Sequence, residues 1–90
     1  MQIAFDPRKN ERNIRERGLS FEQAADFDFE TATTFPEMRN GQLRLVSVGY
    51  LYRRLHLICY IETEDGIRVI SFRKANDREA RKYGKEKTAD

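Results

Sequence analysis

Ninety residues, with 17 Lys or Arg against 15 Asp or Glu, 39% hydrophobic content and a pI near 8.8, describe one small domain over residues 1–90 with a single thin core. A lone cysteine, Cys59, excludes an internal disulfide framework and fits a reducing compartment. No apolar run approaches the roughly 20 residues of a membrane span and no secretory leader is visible, so the expected setting is the cytoplasm.

Gln2–Phe5 reads as a short apolar strand. Asp6 and Pro7 then open a helix, Asp6 as cap and Pro7 at the first helical position, which runs to about Arg17 and stops at Gly18, a left-handed C-cap. This helix is almost wholly polar, with Ile14 its one large aliphatic residue, so it rides on the surface or faces another macromolecule. Ser20 with Gln23 forms a capping box for a second, shorter helix whose apolar face is Phe21, Ala24 and Ala25. Thr31–Phe35 is β-rich and is expected to stop at Pro36, leaving 37–41 as a loop. From Gln42 to Tyr50 the sequence alternates, with Val46, Val48 and Tyr50 on one face, and residues 52–54 make a tight connection. Leu55–Thr63 is the most apolar strand. Glu64-Asp65-Gly66 is a hairpin turn in which Gly66 is expected to supply positive φ. The tail from Lys85 to Asp90 lacks apolar residues and is expected to fray.

The last strand and helix carry the strongest signal. In Ile67–Lys74, simple alternation puts Ile67, Val69, Ser71 and Arg73 on one face, and Arg68, Ile70, Phe72 and Lys74 on the other. Asn76 and Glu79 then form a capping box. Between Arg68 and Lys87 eight basic residues stand against three acidic ones, a local excess of five charges in a chain whose net charge is +2. Arg78, Arg81, Lys82 and Lys85 are spaced to share one helix face, while Ala80 and Tyr83 are placed to dock on a sheet. A face of this kind suits a phosphate backbone, although charged helix exteriors are also common without any ligand. The predicted order, β-α-α-β-β-β-β-α, implies an α+β fold: a small antiparallel meander with two N-terminal helices and one C-terminal helix covering one of its faces.

Metal chemistry finds no support. His56 and Cys59 point to opposite faces of a strand and cannot share an ion, so no metal or other cofactor is expected. Cys59 reads as an inert core thiol and His56 as a structural strand residue. Neither a glycine-rich phosphate loop nor a nucleophile–base pair is present. The remaining chemistry lies at the strand–helix junction. There Arg and Lys are suited to stabilising a phosphorane, and Glu79, Tyr83 or a lysine to moving protons. On residues alone, this marks a site for binding or cutting nucleic acid.

Three segments resemble the BrnT family of bacterial toxins from type II toxin–antitoxin pairs. They are Phe5-Asp-Pro-Arg-Lys9 with Asn13 and Gly18-Leu-Ser-Phe-Glu-Gln-Ala24; Arg44-Leu-Val-Ser-Val-Gly49; and Arg68-Val-Ile-Ser-Phe-Arg-Lys-Ala75 with Glu79 and Tyr83. The resemblance implies a RelE-like fold, metal-independent endoribonuclease activity that arrests translation, and neutralisation by a BrnA-type antitoxin. That antitoxin carries a ribbon-helix-helix domain, so DNA is met only indirectly. The resemblance assigns catalysis to Ser71, Arg73, Lys74, Glu79 and Tyr83 and RNA contact to Lys9; charge adds Arg78, Arg81 and Lys82. Two departures matter. Arg17 stands where members often have His, and Phe72 where many have a small residue, which either narrows an RNA groove or fills core. The alternative is a catalytically weak module that acts only as co-repressor with its antitoxin. The basic first helix and the junction are the expected antitoxin-contacting surfaces.

RNA cleavage by this chain is expected to survive excess EDTA and to leave 2′,3′-cyclic phosphate ends. Loss of activity in chelator, restored by one divalent ion, would contradict that expectation.

Overall fold

The computed structural model describes residues 1–89; Asp90 and whatever the tail reading implies for it lie outside the described residues. Five strands form one sheet in the order β1-β5-β4-β3-β2: β1 Gln2–Phe5, β2 Thr33–Arg39, β3 Gln42–Leu51, β4 Arg54–Glu62 and β5 Gly66–Lys74. Helix α1 spans Pro7–Arg17, a 3₁₀ segment spans Phe21–Asp26, and helix α2 spans Asp77–Lys82. The α+β class is as expected. Strands β2 to β5 form the antiparallel meander, but β1 joins β5 in parallel, so the sheet is mixed. Among the described residues, no helix is long and apolar enough to cross a membrane.

The sheet has two differently covered faces, not one covered and one bare. On the inner face the main core gathers Leu19, Phe21, Ala24 and Phe27 against Leu51, Ile58, Tyr60, Val69 and Phe72. On the outer face Ala75 and Ala80 pack on Val48 and Leu55, with Tyr83 and Phe35 at the rim. The N-terminal helical elements and α2 thus sit on opposite sides of the sheet, because the strand-end turn at Ala75 carries the chain round to the face that the first helices leave free.

Local chemistry explains most boundaries. The Asp6 carboxylate accepts from the Arg8 N–H at 2.9 Å, and Gly18, at φ 64°, closes α1. The Ser20–Gln23 box forms as expected, but its helix is 3₁₀ and exposes Ala25. Strand β2 runs through Pro36, opposite Leu45, and continues to Arg39. The proline is tolerated because β2 is an edge strand and its nitrogen owes no ladder bond. The reversal is the two-residue turn Asn40-Gly41, both at positive φ. Gly66 is not in the left-handed region; a Cβ there would collide with the Gln2 backbone, so its role is to let β1 lie close. The tail docks instead of fraying: the Leu55 N–H donates to the Lys87 carbonyl at 2.7 Å, and Ala89 N–H to Arg53 at 2.8 Å.

Strand β5 departs most from simple alternation. Cys59 pairs with Ser71 and Tyr60 with Val69, leaving Ile70 as an extra residue in a bulge. Beyond the bulge the parity reverses. Ile67, Val69, Phe72 and Lys74 face inward, and Arg68, Ile70, Ser71 and Arg73 face outward. Phe72 is fully buried and fills core.

Past Phe5 the flank of β5 loses its neighbour, and α1 takes over. Buried Asn13 donates its side-chain amide to the carbonyls of Leu19 (2.9 Å) and Phe72 (3.0 Å). Asn13→Ala would strand two acceptors in a buried place, at a cost of about 2 kcal/mol. In a domain of this size that lowers the melting midpoint by on the order of 10 °C, measurable by thermal circular dichroism.

Candidate functional site

The bulge distributes the residues of the junction over both faces of the sheet. On the outer face, Arg73 forms a two-point ion pair with Glu79, Nη1 to Oε1 at 2.8 Å and Nη2 to Oε2 at 2.7 Å. The same carboxylate accepts the Asn76 N–H at 3.0 Å, while the Asn76 side chain accepts from Glu79 N–H at 2.8 Å. The cap of α2 therefore also aligns the Arg73 guanidinium. The Arg73 hydrogen bonds, together with the Asn76 N–H, hold the Glu79 carboxyl down to about 2. A carboxylate this acidic is a poor proton acceptor at neutral pH, so Glu79 acts here as an orienting partner of Arg73.

Ser71 and Arg73 border an outer groove of about 280 Å³ with Arg39, Arg44, Glu37 and Cys59. The Arg44 Nε is buried and has no hydrogen-bond partner among the described residues. Cys59 is half-buried, and burial pushes its thiol up, so it is no ready nucleophile. Tyr83 stacks on Phe35 at 5.6 Å with rings 12° apart, and the Lys82 ammonium lies 5.4 Å from the Tyr83 ring centre. Arg78, Arg81 and Lys82 are exposed on α2. Lys85 does not extend their row. The helix has ended, and the Lys85 ammonium donates to the Thr31 carbonyl at 3.1 Å. Lys9 lies apart, on exposed α1, in a shallow depression with Arg8, Glu11, Arg12 and Arg15.

The inner side of the same junction opens into a cleft of about 540 Å³. Leu19 and Leu51 contribute its apolar wall. Arg17 of α1, Arg54 of β4 and Lys74 of β5 supply positive charge, with Arg73 at the border; Gln23, Tyr52 and His56 complete the polar lining. Asp and Glu are absent from the lining residues. Two of the cations are held rigidly. Arg54 donates to the carbonyls of Leu55 (2.6 Å) and Ala75 (2.8 Å), and Arg17 to the side-chain oxygen of Asn13 (3.0 Å). Lys74 is exposed and stands opposite His56 in the β4–β5 register.

The structure therefore brings Ser71, Arg73, Glu79 and Tyr83 to the outer face and sends Lys74 to the other side. Charge patterning did not single out His56, Arg54, Arg17 or Tyr52 as site residues. Their shared cleft depends on the 3₁₀ segment, α1 and the β3–β4 turn converging at one corner. The hint available was Tyr52-Arg53-Arg54, a cationic turn next to the chain's lone histidine; Tyr52 and Arg53 both adopt positive φ there.

A family model described as ribonuclease toxin, BrnT, of type II toxin-antitoxin system matches residues 5–79. Arg81, Lys82 and Tyr83 fall beyond the matched stretch. No curated protein and no solved structure matches.

The Glu79 carboxyl sits below its ordinary value in the folded chain. Its contribution to stability is full above about pH 4.5 and is lost as pH falls toward about 2. Acid titrations of wild type and Glu79→Gln, followed by denaturant midpoint, should show a smaller loss for the variant across that window.

Proposed function

This chain belongs to the BrnT ribonuclease toxins of type II toxin–antitoxin systems, and from that premise we propose that it cuts RNA in the cleft beside Lys74, without a metal ion. The family implies an RNA substrate and an antitoxin partner. The observation that carries the assignment is the cleft itself: a pocket of about 540 Å³ whose charged lining residues are all basic. A phosphodiester carries its charge into such a pocket favourably, and the guanidinium of Arg54, already fixed by two carbonyls, offers a positive field without reorganisation at the moment of reaction. Lys74, which pairs with no carboxylate among the described residues, stabilises the charge that grows on phosphorus. Arg73 and Ser71 serve the flanking strand across the sheet edge, where Arg73 stays aligned by Glu79; Tyr83, Arg78, Arg81 and Lys82 extend that surface.

Cleavage of this kind arrests translation in the cell. A BrnA-type antitoxin, with its ribbon-helix-helix domain, neutralises the toxin by covering α1 and the junction, where Arg8, Lys9, Arg12 and Arg15 outnumber Glu11 in one depression, although Arg12 is paired with Glu16. The RelE-like architecture is part of the same proposal; the helices on both faces of a five-stranded sheet are the frame on which it rests. The tight Arg73–Glu79 pair favours a second reading, in which the outer face serves only to bind and the chain acts as co-repressor with its antitoxin.

Growth arrest on induction and cleavage of purified RNA, with and without ribosomes, separate the two. Under the cleavage reading, Lys74→Ala lowers the cleavage rate by about 10²-fold, with little change in melting midpoint. Arg73→Ala weakens RNA binding and lowers the log–log salt slope by about one. Wild type that binds RNA and antitoxin but neither cuts nor arrests growth establishes the co-repressor reading.

A further inference from the structure

We infer that His56 is the general base of the cleavage proposed above, receiving the 2′-hydroxyl proton of the nucleotide held in the cleft on its Nε2. The inference rests on that proposal and adds the group that the cationic cleft otherwise lacks. His56 is the chain's only histidine and lines the cleft. Its Nδ1 lies 2.7 Å from the Arg54 carbonyl oxygen. A carbonyl can only accept, so Nδ1 carries the proton, and in the neutral ring Nε2 is left with its lone pair. Nε2 has no hydrogen-bond partner among the described residues.

Three features hold the ring in that state. Gly49 and Lys74 flank His56 across the sheet, and Phe27 and Ala32 close over Gly49, where a Cβ would collide with them. The ring rests on Phe72, centroids 5.5 Å apart. Burial pulls the imidazole below its ordinary value, helped by the charges of Arg54 and Lys74 and opposed by the Arg54 carbonyl. The titratable groups that share its cleft are Arg54 from β4, Lys74 from β5, Arg17 from α1 and Tyr52 from the β3–β4 turn, with Arg73 at the border and turned to Glu79 on the outer face; all but tyrosine are basic side chains. The 3₁₀ segment contributes Gln23, which does not titrate.

The step balances without an added reagent. Nε2 takes the 2′-hydroxyl proton as O2′ attacks phosphorus, the P–O2′ bond forms, and the P–O5′ bond breaks. The leaving 5′-oxygen takes a proton from the Lys74 ammonium. The products are a 2′,3′-cyclic phosphate and a 5′-hydroxyl, after which His56 returns its proton to solvent and Lys74 regains one.

A lone histidine makes the test direct. The imidazole Cε1–H resonance of wild-type protein gives the His56 pKa by NMR titration, and the pH profile of kcat/KM on an RNA oligonucleotide gives the kinetic one. The expected profile rises with unit slope to a plateau, with its bend at the NMR value. His56→Gln should lower kcat/KM by at least about 10²-fold, abolish the rising limb and regain activity with added imidazole. A wild-type profile flat through the NMR pKa overturns the inference, as does a His56→Gln variant with wild-type rate and limb. If the variant fails to fold, the wild-type comparison decides alone. Wild type that cuts no RNA, alone or with ribosomes, removes the ribonuclease proposal itself, whereas cutting with a flat profile removes only the role of His56.

Discussion

The amide of Asn13 is the bond on which the site corner depends. Strand β5 loses its parallel neighbour after Val69 pairs with Phe5, and its open flank would face the inside of the molecule. A helix has no backbone donors to offer sideways, so a side chain must supply them. Asn13 donates one N–H to Phe72 and the other to Leu19, and its oxygen accepts from Arg17. One buried amide thus fixes α1 to β5, α1 to the loop that follows it, and Arg17 to the wall of the cleft. Asn10 repeats the device one turn earlier, accepting the Phe21 N–H at 2.8 Å. A helix with almost no apolar face is held to the sheet by Asn13 and to the 3₁₀ segment by Asn10, in place of a hydrophobic stripe.

The sheet then separates two kinds of cation. On the outer face Arg73 is neutralised and aligned by Glu79, which suits recognition of a strand more than stabilisation of a transition state. On the inner face Lys74 and Arg54 pair with no carboxylate among the described residues, and the imidazole of His56 shares their cleft. Burial is the main cause of the lowered proton affinity of His56, and the charges of Arg54 and Lys74 add to it. In the proposed cleavage, proton acceptor and charge stabilisation come from adjacent positions of two paired strands, His56 on β4 and Lys74 on β5.

Local signals were sufficient where they act over a few residues. Asp6, Gly18, Ser20 with Gln23, and Asn76 with Glu79 all cap as their side chains dictate, since capping is short-range hydrogen bonding. Alternation identified the strands. It misjudged Pro36 because an edge position is not visible in the strand itself, and it misjudged the tail because the partners of Lys87 and Ala89 lie some 30 residues earlier. Among the site residues, Glu79 was readable as a cap partner of Asn76, but its two-point pair with Arg73 was not, since it joins strand to helix across the turn. His56 was not, because its meaning depends on what converges around it.

The amino-acid sequence alone determined the element order, the α+β class, the concentration of basic charge near the C-terminus and the resemblance to a toxin family. Only the tertiary structure decided which face each basic group serves. The reason is the extra residue at Ile70. A bulge shifts the two-residue period of a strand by one, so Phe72 enters the core while Arg73 and Lys74 exchange the sides that alternation assigns them. The bulge exists because of how β5 pairs with β4, a non-local condition that no window on β5 contains. Through that one shift, Lys74 meets His56 in the cleft and Arg73 meets Glu79 on the far side.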